Sequence, residues 1–200
     1  MWIGGIALAL AGIFLVKYSI ENGWLGEGVR TILAFLFGFG LLGGAERLRR
    51  DPAQHRLVQS LTGAGISVLY GSLVAASTMY GFIPNWLAFL GMAGVTSFAI
   101  TRALRDGPAV ALLGLLGGML TPALLSTGGG NPALLFTYLL ALEIGLHWLA
   151  RRKGWAWLQL VSILGGFLWI ATADWRMDAS EPWAGLYLLG CLALLLRPSP

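Results

Sequence analysis

Apolar residues in this chain gather into blocks of roughly twenty, the length a helix needs to cross a bilayer. Short polar or charged breaks separate the blocks. In order they cover about Trp2 to Tyr18, Gly28 to Ala45, Leu57 to Tyr80, Trp86 to Thr101, Pro108 to the turn before Pro132, Pro132 to Ala150, Trp155 to Ala173 and Trp183 to Leu196. The pattern predicts an all-α fold, a polytopic transmembrane bundle of about eight helices forming a single integral membrane domain over residues 1–200. A transmembrane barrel needs short segments of alternating polarity, which are missing, and open sheet leaves backbone groups that lipid cannot satisfy. The last block is barely long enough to span, and a run this short can also be re-entrant or partial.

The stretch from Pro108 to Pro132 is the least regular of these blocks. Gly114, Gly117 and Gly118 remove side chains from one region, as expected of a close helix contact. Pro122 has no backbone N–H, so the carbonyl of Gly118 loses its usual helical partner. The run then closes in an uncharged turn, Ser126-Thr127-Gly128-Gly129-Gly130-Asn131-Pro132.

Composition agrees with the pattern. The 200 residues are 57% hydrophobic and only 11% charged, with a mean hydropathy of +0.76. Soluble domains carry about a quarter charged residues. Glycine is abundant, with 29 residues, and in a membrane this points to tight helix packing. The single cysteine, Cys191, excludes an intramolecular disulfide and a cysteine-based metal cluster. The start, Met1-Trp2-Ile3-Gly4-Gly5, has no positive n-region, so the first block is expected to remain as a helix.

Charge adds an orientation. If every block spans, one side carries Arg47, Arg49, Arg50, Arg56, Arg102, Arg105, Arg151, Arg152, Lys153 and Arg197. The other side has Lys17, Arg30 and Arg176, beside Glu21, Glu27, Asp174, Asp178 and Glu181. The basic side belongs in the cytoplasm by the positive-inside rule, which puts both termini inside. The net charge of +4 follows from these loops, and no basic face points to nucleic acid. The expected partners are the lipid bilayer and other membrane subunits or copies of this chain.

A rough repeat of four helical hairpins is visible, each with a glycine pair or near-pair in its first helix: Gly4-Gly5, Gly63 and Gly65, Gly117-Gly118, Gly165-Gly166. Three runs are also familiar in combination. WIGGIALALAGIFLVKYSIENG at Trp2 to Gly23, LTGAGISVLYGSLVAA at Leu61 to Ala76 and LLGLLGGMLTPALLSTGGGNP at Leu112 to Pro132 resemble a bacterial family of membrane proteins, domain of unknown function 2339. The resemblance covers nearly the whole chain. It implies a multi-spanning inner-membrane protein with no established activity and supplies no catalytic residues. Members are typically longer, which implies a short member or one piece of a longer protein.

Glu143 is the sharpest candidate for chemistry. It lies mid-block in LLFTYLLALEIGLHWLA, and an acid at that depth must be protonated, paired or wet. His147 follows one turn later on the same face. The two could relay protons, or the acid could simply bond a neighbouring helix. Thr121-Pro122, with Ser126 and Thr127, is second: a proline-broken helix frees carbonyls that can line a path, unless neighbouring hydroxyls cap them. Lys17 and Glu21 form a third candidate, an interfacial pair at the outer face. Gly40 with Gly44, and Gly114 with Gly118, are expected packing faces. Trp24, Trp86, Trp155, Trp175 and Trp183 sit near predicted helix ends, as an aromatic belt would.

No GxxxxGK[ST] loop, HExxH pair or Ser-His-Asp arrangement is present, so no cofactor, metal or catalytic residue is expected. Two functions fit. One is a transporter of a small solute or ion working at Glu143 and Pro122. The other is a non-catalytic membrane scaffold, an envelope assembly component acting through its glycine faces. A membrane enzyme on lipid substrates is a weaker third, since the outer loops carry few acid–base groups.

Overall fold

Two helical hairpins, held side by side, open the described part of the molecule. The structure is a computed structural model, and it describes residues 26–125, 132–173 and 183–196. Seven α-helices occur among these residues: α1 (Glu27–Leu48), α2 (His55–Val74), α3 (Asn85–Asp106), α4 (Pro108–Leu125), α5 (Pro132–Lys153), α6 (Ala156–Ala173) and α7 (Trp183–Leu196). No strand occurs among them. Five helices, α1 to α5, are long and apolar enough to cross a membrane, whereas α6 and α7 are shorter apolar helices. The first expected block and the Lys17–Glu21 pair lie outside the described residues.

Several boundaries differ from the sequence reading. The charged segment after Ala45 is not a long loop. α1 continues to Leu48, and a short 3-10 turn over Pro52–Gln54 leads straight into α2. Asp51 caps that turn by accepting from the Ala53 N–H at 3.0 Å. Arg102 and Arg105 likewise sit on the last turns of α3, not in a loop. Nothing between Thr101 and Asp106 breaks a helix. The break comes at Gly107, whose φ of +98° admits the reversal, and Pro108 then opens α4. The helix expected through Tyr80 does run to Met79, with its last residues, Ala75–Met79, wound as a π-turn. α4 itself runs unbroken through Pro122.

Neighbouring side chains fix the helix directions. Gly65 lies against Leu42, and Gly38 against Leu69, so α1 and α2 are antiparallel. Gly114 meets Ala99 and Gly118 meets Thr96, while Asn85 donates to the Leu125 carbonyl, so α4 runs back along α3. Gly145 faces Ile100 and Leu142 faces Gly118, giving α5 the direction of α3. A turn at Gly154, closed by the Trp155 N–H on the Ala150 carbonyl at 2.9 Å, returns α6. The ends bearing Arg47, Arg105 and Arg152 therefore gather at one end of the bundle.

α1 buries only Thr31, Gly38 and Ala45, spaced seven residues apart, and presents Ile32, Leu36, Phe37 and Phe39 outward at more than 60% exposure each. Such an exterior suits lipid and not water. The interior is a packed cluster centred on Ile66, Val110, Leu115, Leu139, Leu146 and Leu158. Its tightest point is α4. A Cβ at Gly117 would run into the Tyr70 ring, and one at Gly118 would sit 2.9 Å from both Leu142 and Thr96. Gly40 and Gly44 behave differently: among the described residues, nothing lies within 4 Å of where their Cβ atoms would be.

This contrast gives a measurable difference. Gly117→Ala should destabilise the protein by about 1–3 kcal/mol, the usual cost of overpacking, since the Tyr70 ring cannot retreat without losing its own contacts. Gly40→Ala should be neutral or stabilise by up to about 1 kcal/mol, because an open helical site gains only propensity. Unfolding of both variants in one detergent checks the pair; equal losses would contradict this packing.

Candidate functional site

Glu143 projects from the middle of α5 into the junction with α6 and α7. It is 2% exposed. Ser162 on α6 donates its hydroxyl to Oε2 at 2.9 Å, and Tyr187 on α7 approaches Oε1 at 3.5 Å, the long end of hydrogen bonding. Ser162 is also within 3.0 Å of the Gln159 carbonyl. It has a single proton, so two arrangements are available. An ionised Glu143 receives that proton. A protonated Glu143 can donate to Ser162, which then turns to Gln159. The site accommodates either charge state without moving a helix.

The Tyr187 ring reaches this position because Gly166 on α6 has no side chain: a Cβ there would overlap the phenol oxygen. Phe136, nearly two turns before Glu143, packs on the same ring with centroids 5.8 Å apart. His147 is buried one turn beyond Glu143, at 7% exposure. Cys191, one turn after Tyr187, is partly buried beside this cluster. Among the described residues, no three His, Cys, Asp or Glu side chains come together as a metal site requires.

The Pro122 region is organised by the same need to satisfy polar groups. The Gly118 carbonyl, deprived of a donor by Pro122, accepts from the Tyr138 hydroxyl of α5 at 2.9 Å. The adjacent Met119 carbonyl accepts from the Trp169 indole of α6 at 3.0 Å. Thr121, fully buried, bonds back to the Gly117 carbonyl at 2.7 Å. Thr96 on α3 donates to the Met92 carbonyl at 2.8 Å, so the 2.6 Å contact with Tyr70 is a bond that Tyr70 donates. Hydroxyls from α2, α3, α4 and α5 thus meet around one glycine pair. Ser126 and Thr127 lie outside the described residues.

A second polar cluster stands at the basic end. Asp106, 1% exposed, forms a two-pronged ion pair with Arg49: Nη1 to Oδ1 at 2.9 Å and Nη2 to Oδ2 at 3.0 Å. Thr62 donates to the same Oδ2 at 3.1 Å. Glu46 accepts from Arg102 and lies 3.3 Å from Arg49. This latch ties α1 and α2 to α3.

Of the expected intramembrane polar residues, Glu143, His147 and Thr121 are buried and Pro122 is half-buried. The sequence reading did not single out Ser162, Tyr187, Tyr138, Trp169, Arg49 or Asp106. Trp169 is not part of an end belt, since it lies inside α6 and serves a backbone carbonyl. The one legible signal was Asp106, an acid alone in a basic run.

Every described helix turns large apolar side chains outward, and a family model covers residues 1–199. The chain belongs to the DUF2339 family of predicted membrane proteins. No curated protein and no solved structure matches it. As a DUF2339 protein it is a membrane protein of several apolar helices in contact with the lipid bilayer.

The Pro122 network makes a sharp prediction for this DUF2339 chain. Tyr138→Phe should cost about 0.6–1.7 kcal/mol, the range for interhelical hydrogen bonds in membranes. Pro122→Ala restores an N–H to the Gly118 carbonyl, so the tyrosine change should then cost little. Unfolding of the two single variants and the double variant gives the coupling directly; purely additive losses would refute the capping role of Tyr138.

Proposed function

We propose that this protein is a non-catalytic scaffold of the bacterial inner membrane, with its basic end in the cytoplasm. The observation that carries the reading is the use made of interior polar groups. Glu143 is held by Ser162 and Tyr187. The carbonyls of Gly118 and Met119 are occupied by Tyr138 and Trp169. These bonds join one helix to another and fix their register. The surface we assign to a partner is α1, where Gly40 and Gly44 meet no neighbour among the described residues and would allow another backbone to approach.

A second reading, transport of a small solute or ion, draws on one feature of the same site. A carboxyl shared by three helices, with donors arranged for both charge states, is a place where a proton could be taken up and released. Opening α5 from α6 and α7 would expose it.

The readings separate by experiment. Under the scaffold reading, Gly40→Leu with Gly44→Leu should reduce the assembled mass of the protein in native gels of membrane extracts, and Glu143→Gln should leave it intact. Under the transport reading, proteoliposomes should show a proton flux that Glu143→Gln abolishes. Unchanged assembly in the glycine variants, together with a Glu143-dependent flux, would reverse our preference.

A further inference from the structure

The cluster of arginines at the basic end has a chemistry of its own. Nine basic side chains gather there among the described residues: Arg47, Arg49, Arg50, Arg56, Arg102, Arg105, Arg151, Arg152 and Lys153. Only three acids accompany them, and each is already engaged. Asp106 is buried under Arg49, Glu46 lies between Arg49 and Arg102, and Asp51 caps its own turn and accepts from Gln54. Arg47, Arg50, Arg56 and Arg105 are exposed around this latch and come from three helices or their junctions. The Arg49–Asp106 pair sets them together by fixing the end of α1 against the end of α3.

The setting points to the bilayer surface. Arg102 lies over the Phe98 ring at 4.9 Å and Arg152 over Trp148 at 5.4 Å, so guanidinium groups rest on aromatic rings at the edge of the apolar zone. In a membrane-spanning bundle, aromatic residues at helix ends lie near the lipid headgroups. Guanidinium pairs readily with a phosphodiester, and a cluster of cations without free acids beside it favours a headgroup with net negative charge over one whose own ammonium group it repels. We propose that Arg47, Arg50, Arg56 and Arg105 form a binding surface for anionic phospholipid headgroups, selecting a phosphatidylglycerol-type lipid over a zwitterionic one. The partner is a lipid in the leaflet beside the bundle, not a free anion. The inference stands whether the protein is a scaffold or a transporter.

The test is binding of a fluorescent phosphatidylglycerol to the purified full chain in neutral detergent micelles. Phosphatidylcholine and inorganic phosphate serve as competitors. The wild type should prefer phosphatidylglycerol by roughly tenfold or more, as several arginines near anionic headgroups imply. Changing Arg47, Arg50, Arg56 and Arg105 together to Gln should bring the preference close to parity, and changing the four to Lys should preserve most of it. If the glutamine variant loses its helical spectrum, raising salt on the wild type gives the same readout, and binding should weaken by roughly tenfold from low to high salt. Parity in the wild type, an undiminished preference in a folded glutamine variant, or binding indifferent to salt would overturn the proposal. Full displacement by millimolar phosphate would overturn it as well, reducing the surface to a small-anion site.

Discussion

A backbone carbonyl inside a membrane has no water to turn to, and in this protein the carbonyl of Gly118 is the one on which the central packing depends. Pro122 removes its helical donor, so another helix must supply one. Tyr138 does so only because α4 carries no side chains at Gly117 and Gly118 that would hold its neighbours away. Those absences admit Tyr70 from α2, Thr96 from α3 and Leu142 from α5 to the same place. Glycine, proline and tyrosine here act as one device. The glycines provide access, the proline creates the demand, and the phenol answers it.

The other polar clusters follow the same economy at different depths. At Glu143 a carboxyl joins α5 to α6 and α7, and at Asp106 another joins α3 to α1 and α2. Neither carboxyl is left alone. The Asp106 pair is nearly dry on one side and partly wet on the other, with the Arg49 side chain at 20% exposure and the Asp106 side chain at 2%. A pair of this kind adds little net stability over an apolar substitute, yet losing one partner is costly, about 3–5 kcal/mol. Its value lies in specifying which helix ends meet. α4 and α5, between these clusters, carry the largest share of the apolar core.

Much of this was readable beforehand, and what was not has a common cause. The apolar blocks announced the helices, because a span must be long and uniformly apolar. Glu143 announced itself as an acid in such a block, and Pro122 pointed to the Gly118 carbonyl. The partners were invisible. Nothing in the spacing of Tyr138, Ser162 or Tyr187 says which carbonyl or carboxyl each will meet, since that depends on how non-adjacent helices are rotated. The helix ends were misjudged for a local reason. Charge was taken as a loop signal at Arg102 and Arg105, yet arginine is a good helix former, and only Gly107 and Pro108 stop the chain. The glycines show the limit most plainly: Gly40 and Gly118 look alike in sequence, but one meets no other described residue and the other is in close contact with Leu142 and Thr96.

The three buried residues of α1 have a mechanical meaning. Thr31, Gly38 and Ala45 recur every seventh position, the period at which a helix keeps one side toward a nearly parallel neighbour. From first to last they extend roughly 21 Å along the axis, at 1.5 Å per residue. A seam of that length, made through side chains as small as these, resists bending between α1 and α2 at any point along it. The pair therefore behaves as a stiff lever rather than as two jointed rods. Its grip on α3 runs from Arg49 and Asp106 at one end, through Tyr70 on Thr96, to Leu73 against Gly91 near the other, so a disturbance at any one of these contacts is shared along the whole lever.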